Sequence, residues 1–225
     1  MTDFDWNLLL SVDWPEIGEA TLDTLTMLGV SLLATVALGL PLGVLLYVTA
    51  PGQLRARPRL YAVLSLLVNV LRSLPFVILL IVLIPLTLLL VGTSIGVAGA
   101  IVPLVVGAVP FFGRLVENVL REVDRGVIEA SQAMGARLPQ IVFKVLLPEA
   151  LPSLIGAVTV TAVALVGYTA MSGVIGGGGL GDLAVRYGYQ RFQTEVMVVT
   201  VALLLVLVQL LQSAGDRLVR RCRFD

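Results

Sequence analysis

Long apolar runs broken by short polar clusters set the pattern of this chain. Residues 24–54 carry no charged side chain, and neither do 73–113, 150–181 and 196–215. A membrane-crossing helix needs about 20 residues at 1.5 Å each. The 41 residues from Ser73 to Gly113 are therefore too many for one crossing. Their break falls at Val91-Gly92-Thr93-Ser94, a turn-like cluster. The pattern predicts five helices, at about 21–49, 60–90, 95–119, 149–174 and 195–216. Asp13-Trp14-Pro15-Glu16 also reads as a helix start, with Asp13 able to cap and Pro15 tolerated in the first turn. Trp6 and Trp14 suit either a membrane–water boundary or packing.

Composition sharpens the class. Hydrophobic residues make up 58% of the 225, and charged residues 13%, against roughly 25% in an average soluble protein. Mean hydropathy is +1.00. Fifteen basic and fifteen acidic residues are too few to give a soluble domain its polar surface. The expectation is an all-α, polytopic membrane protein with five transmembrane helices, the whole chain (1–225) forming one transmembrane domain. Histidine is absent, which removes imidazole from acid–base or metal chemistry. The single cysteine, Cys222, allows neither an intrachain disulfide nor a multi-cysteine metal site. A net charge of zero points to no nucleic acid partner. The start, Met1-Thr2-Asp3-Phe4-Asp5, is acidic where a secretory signal is basic.

Basic residues set the expected orientation. Arg55, Arg57 and Arg59 fall after the first helix. Arg114, Arg121, Arg125, Arg137 and Lys144 lie around the segment between helices three and four, and Arg217, Arg220, Arg221 and Arg223 lie in the tail. These twelve share one side, and the other side has Arg186 and Arg191. The positive-inside rule makes the first side cytoplasmic, with the N-terminus outside and the C-terminus inside. No internal repeat of the kind many secondary transporters carry is visible.

The cytoplasmic segment, about 120–148, is the most informative. Asp124 can cap a short helix and Gly135 can end it. Ala130 and Ala133 lie three apart on one face and leave a shallow surface that another backbone can approach. Pro139 then restarts a helix that runs to Leu147-Pro148. From composition this is either a docking hairpin or an amphipathic surface loop.

Glu129-Ala130-Ser131, then Gly135, then Val145-Leu146-Leu147-Pro148, resembles the EAA motif of ABC importer permeases. That pattern is E-A-A, three residues, G, nine residues, I-x-L-P. The spacing matches throughout, with Ser131 in place of the second Ala and Val145 in place of Ile. The resemblance extends over about 20–218 and is nearest to the methionine-uptake branch. Arg72-Ser73-Leu74-Pro75-Phe76, Gly92-Thr93-Ser94-Ile95-Gly96, Arg114-Leu115-Val116-Glu117-Asn118, Gly167-Tyr168-Thr169-Ala170-Met171 and Gly177-Gly178-Gly179-Leu180-Gly181 carry it.

The resemblance implies a type I ABC importer permease fold, a homodimer in a bacterial inner membrane, and two ATP-binding subunits. It also implies an extracytoplasmic solute-binding protein and methionine, in its L- and D-forms, as cargo. It gives Glu129, Ala130, Ala133, Gly135, Val145, Leu147 and Pro148 the role of docking the ATPase. Another amino acid or small solute would keep the class and change the cargo.

Nucleotide chemistry is expected elsewhere. A Walker A loop, G-x-x-x-x-G-K-[ST], needs a lysine after glycine, and the one lysine, Lys144, follows Phe143. ATP and Mg are therefore expected on a partner chain, with no cofactor, metal or catalytic residue on this one. Gly176, Gly178 and Gly181 formally satisfy G-x-G-x-x-G. A membrane helix precedes them, and the next acid after Asp182 is Glu195. A flexible outer-side hinge is expected there rather than a dinucleotide site.

Candidate path residues lie on two helices. Ser65, Asn69, Arg72 and Ser73 share about a 100° arc of helix two. Arg72 has either a structural or boundary role or a place on an aqueous path. Pro75 and Pro85 are expected to kink that helix. Thr161, Tyr168 and Ser172 form one stripe on helix four with Met171 beside it. This is either helix packing or a gate near a symmetry axis. Tyr187, Tyr189, Arg186 and Arg191 either form a solvated loop or meet a binding protein. An ion-coupled transporter would want intramembrane carboxylates, and Asp23, Glu117, Glu149 and Glu195 all fall near predicted helix ends. A scaffold that only holds partners would not need the polar stripes.

Overall fold

The structure is a computed structural model that describes residues 13–222. Its elements are α1 (Trp14–Thr49), α2 (Pro58–Ser73), α3 (Phe76–Val82), α4 (Ile84–Val91), α5 (Gly96–Arg121), α6 (Arg125–Ala133) and α7 (Leu138–Ile141). A π-helical turn, Val142–Leu146, leads into α8 (Leu147–Glu149) and α9 (Leu151–Gly173). Then come α10 (Gly179–Leu183), a second π-helical turn (Ala184–Tyr189) and α11 (Thr194–Cys222). Among the described residues every regular element is helical. Four helices are long and apolar enough to cross a membrane, or five if the bent pair Pro58–Ser73 and Phe76–Val82 is one crossing.

Helix starts follow local chemistry. The Asp13 carboxylate accepts a hydrogen bond from the Glu16 N–H, so α1 begins at Trp14, earlier than the expected 21. Trp6 lies outside the described residues. Trp14 is exposed.

The second predicted helix, 60–90, is not continuous. Leu74 is extended (φ −76°, ψ 130°) because the ring of Pro75 excludes the helical region for the residue before it. Chain geometry interrupts the helix again at Leu83, and Pro85 opens α4. Gly92, at φ 79°, ends α4 and donates its N–H to the Leu88 carbonyl. The break expected at 91–94 is where the structure has it.

The chain divides into two compact units. One comprises residues 13–32, Phe76–Leu104 and Val163–Leu210. Its apolar centre gathers Ile17, Ala20, Leu180 and Leu183. The Leu180 N–H donates to Thr24 Oγ1 at 2.9 Å, and Gly96 N–H donates to the Gly176 carbonyl at 2.9 Å. Part of this glycine-rich stretch is packed against neighbouring backbone. A Cβ on Gly173 would run into the Asp182 backbone, and one on Gly181 would run into Ala170. These glycines let two helix backbones approach closely.

The other unit comprises Leu33–Pro75, Val105–Ala162 and residues 211–222. Its core joins Tyr47 and Val48 of α1 to Phe112, Val116 and Leu120 of α5, Ile128 of α6, and Ile141, Val142 and Leu146. Gly39 and Gly43 of α1 lie against Phe112, Gly113 and Val116 of α5. This small-x-x-x-small contact was not singled out from the sequence. Outside both cores, large apolar side chains such as Leu33, Leu66, Leu89 and Leu210 are exposed. Hydroxyls of Thr21, Thr26, Thr49, Thr161 and Thr200 bond to carbonyls of their own helices, as an apolar surrounding requires.

Candidate coupling segment and polar seam

The segment from α6 to α8 belongs wholly to the second unit. Asp124 caps α6 by accepting the Gly126 N–H at 2.6 Å. The far end closes as a Schellman motif. Ala136 N–H donates to the Ser131 carbonyl at 3.1 Å, and Gly135 N–H donates to the Gln132 carbonyl at 2.9 Å. Gly135 sits at φ 81° with open space around its Cα, so its glycine answers a backbone need and not crowding. Gly135→Ala is expected to lower stability by about 1 kcal/mol, and Gly135→Asn by less. Thermal unfolding of the purified chain in detergent checks both.

Helix α6 is two-faced. Ile128 and Ser131 are buried, and the Ser131 hydroxyl bonds back to the Val127 carbonyl at 2.8 Å. The position where the motif usually has Ala therefore holds a small residue whose hydroxyl is satisfied within its own helix. Glu129, Ala130, Ala133 and Gly135 are exposed, and so is Met134, at 81%. The expected shallow face is thus open. Val145 and Leu147 are half-buried, Pro148 is exposed, and Leu146 between them is fully buried. Pro148 has no N–H for the Lys144 carbonyl, and its ring would crowd that carbonyl in a regular helix. The chain widens instead, with Leu147 N–H donating to the Val142 carbonyl five residues back.

A polar seam joins α2 to α5 in the same unit. Glu117 is 0% exposed. It accepts from Arg114 Nη1 at 2.6 Å, Arg121 Nη2 at 2.6 Å and the Tyr61 hydroxyl at 3.0 Å. Arg114 Nη2 donates to Ser65 Oγ at 2.7 Å and Asn69 Oδ1 at 2.9 Å. Two guanidiniums flank this buried carboxyl, and with the Tyr61 hydroxyl they fill its acceptor sites. Glu117 lies about one turn before the end of α5 at Arg121, near a helix end as expected, with its side chain enclosed. The spacing 114, 117, 121 on one helix face was the available signal. Asn69 is thereby a partner of Arg114. Arg72 is exposed, with its guanidinium carbon 6.0 Å from the Phe111 ring centroid.

Thr161 belongs to the second unit, whereas Tyr168, Met171, Ser172 and the candidates at 186–191 lie in the first. Tyr168 stacks on Phe76, with centroids 4.4 Å apart and planes 10° from parallel. Ser172 is fully buried and donates to the Thr169 carbonyl at 2.7 Å, whereas its neighbour Met171 is 45% exposed. Arg186 pairs with Asp182 at 2.6 Å. Both Arg186 and Arg191 lie over the Tyr187 ring, at 5.2 and 4.4 Å. Tyr189 and Phe192 are exposed, and Phe192 is left-handed at φ 59°. Sequence reasoning gave no signal for Phe192. Among the described residues no group of three or more His, Cys, Asp or Glu could hold a metal ion. In the G-x-G-x-x-G run Gly181 packs against Ala170, and the long helix α9, where a dinucleotide fold has a strand, precedes the run.

Residues 39–224 match the family described as "Binding-protein-dependent transport system inner membrane component". The chain is 52% identical over 202 residues to the probable D-methionine transport system permease protein MetI of Vibrio cholerae, covering 90% of each. It is 47% identical over 206 residues to the methionine import system permease protein MetP of Bacillus subtilis, covering 92% of this chain and 93% of the relative. Among solved structures, a chain of the inward-facing MetNI methionine ABC transporter is 51% identical. It superposes with a TM-score of 0.93 over 95% of this chain and 100% of that one. The all-α permease fold expected from the EAA-like motif is the fold of that chain. On this agreement of motif, fold and relatives, the chain belongs to the binding-protein-dependent transport system inner membrane components, the permease subunits of ABC importers.

Proposed function

We propose that the chain is the membrane-spanning permease of an ATP-driven importer that moves methionine into the cytoplasm. The observation that carries the coupling role is the exposed face of α6. It has Glu129, Ala130 and Ala133 open to solvent, Gly135 closing the helix, and Val145 to Pro148 following at the family spacing. The methionine cargo is supported by relatives at 52% and 47% identity that are themselves methionine permeases.

In this reading residues 1–225 act as one permease domain and 120–148 as the coupling segment. A second copy completes the path, because one subunit of four or five crossings encloses little of it. Two ATP-binding subunits dock on the two α6 faces and hold ATP and Mg. This chain supplies no phosphate-binding lysine, since Lys144 lies in a π-helical turn after Phe143. A solute-binding protein meets the side that bears Tyr189 and Phe192. The N-terminus lies outside and the C-terminus inside, in the bacterial inner membrane. Tyr168, Met171, Ser172 and Asn69 lie along the path or its gate, and the exposed Met171 is best placed to touch cargo.

Proteoliposomes test this. The chain is reconstituted with the ATP-binding subunit and solute-binding protein encoded beside it, and labelled methionine uptake is followed with and without ATP. ATP-dependent uptake that also requires the binding protein is the expected result. Uptake without an ATPase would make the chain a secondary transporter instead.

A further inference from the structure

The seam between α2 and α5 does something that an ion pair within one helix would not. Arg114 and Arg121 could each neutralise Glu117 from the next turn of α5. Yet the second amino nitrogen of Arg114 donates twice to α2, and the Tyr61 hydroxyl donates across to Glu117. Arg121 Nη2 also donates to the Tyr61 hydroxyl at 3.3 Å. Tyr61, Ser65 and Asn69 recur at four-residue intervals and so face α5 on successive turns. Sliding α2 along α5 by one turn, about 5.4 Å, would break these bonds and take the Tyr61 hydroxyl from Glu117, which is 0% exposed. Such a loss opposes gradual sliding. The seam thus ties the two helices at three successive turns of α2.

The same α5 is fixed to the coupling helix. Three residues separate its end at Arg121 from the start of α6 at Arg125. Leu120 and Ile128 share one buried cluster with Leu146. A displacement imposed on α6 is thus passed to α5 by packing, and from α5 to α2 by the seam.

We propose that Glu117 is a positioning residue for transport. Held by Arg114, Arg121 and Tyr61, it locks α2 to α5 so that movement of the coupling helix carries α2 with it. This rests on the reading of α6 as the coupling helix.

The test compares uptake with ATP hydrolysis in the same proteoliposomes, using the full complex. Glu117→Gln keeps the side-chain shape and removes the charge. Tyr61→Phe with Ser65→Ala removes bonds from the α2 side alone and leaves Glu117 with both arginines. In both, methionine moved per ATP hydrolysed is expected to fall at least about fivefold, the low end of ordinary coupling between sites, with hydrolysis itself within about twofold of wild type. Ser65→Thr, which keeps the hydroxyl, is expected to retain the wild-type ratio. An unchanged ratio in Tyr61→Phe/Ser65→Ala overturns the proposal, and this variant decides the matter if Glu117→Gln fails to assemble. Uptake and hydrolysis falling in proportion also overturns it, because that is the signature of lost protein and not of lost transmission. Failure of the wild-type complex to couple uptake to ATP is a separate result, and it removes the importer reading itself.

Discussion

Ala133→Arg is expected to reduce ATP-driven methionine uptake about a hundredfold, the effect of spoiling a central interface position, while the chain remains folded. Ala133 is the last residue of α6 and is exposed. Arginine is nearly as good a helix former as alanine, so the cost to α6 is a few tenths of a kcal/mol, about the difference in helix propensity. A cation at the helix C-terminus also suits the helix dipole. The damage therefore falls on the docked state, where a long charged side chain stands on a surface built from Ala130, Ala133 and Gly135. The measurement pairs uptake with co-purification of the ATP-binding subunit and with thermal stability of the permease alone. Lost uptake and lost co-purification at unchanged stability support the coupling face. Wild-type uptake from the variant would move the docking site off α6.

The features of this face were legible because they are local. A cap at Asp124, a stop at Gly135 and a proline at 148 act on backbone within a few residues, whatever the rest of the chain does. The same holds for Asp13 at the start of α1 and Gly92 at the end of α4. Pro75 and Pro85 were visible as disruptions, but a kink and a break look alike in sequence. Only the neighbours of the two arms decide whether a bent helix is better than two separate ones, and here Leu74 is fully extended.

Glu117 was hidden for a related reason. Counting charge-free runs treats a carboxylate as the edge of a span, and the count could not see Tyr61, 56 residues earlier, reaching it. The close contacts at Gly173 and Gly181 are equally hidden in sequence. Glycine permits flexibility, but it also permits contact. At Gly173 and Gly181 the facing backbone occupies the space a side chain would need. Helical spacing puts Tyr168 and Ser172 on one stripe with Thr161, and Met171 beside it. The structure gives Tyr168, Met171 and Ser172 different surroundings: a Phe76 stack, an exposed side and a buried carbonyl.

Gly43→Val is expected to destabilise the permease by about 2–3 kcal/mol, the upper part of the range for overpacking, and to lower the yield of assembled complex. A Cβ at Gly43 would lie 2.5 Å from Val116 Cβ and 2.6 Å from the Gly113 carbonyl oxygen. Neither neighbour is the free end of a flexible side chain. Val116 is fully buried beside Phe112 and Leu120, and the carbonyl is backbone of α5. The helices must separate, and in a bilayer separation forfeits the close van der Waals packing that holds small-residue crossings together. Gly39 one turn earlier would be drawn off Phe112 as well, since its own Cβ would fall 2.8 Å from that ring. Gly29 on the same helix is the control, because a Cβ there meets nothing within 4 Å. Gly29→Ala is expected to leave the melting temperature in detergent unchanged or slightly raised, as replacing a mid-helix glycine does. Equal melting temperatures for Gly43→Val and wild type would show that α1 and α5 do not depend on this crossing. A loss confined to Gly43→Val would show that the first long helix is held to the coupling half of the chain by backbone approach, and that the glycine is there to allow it.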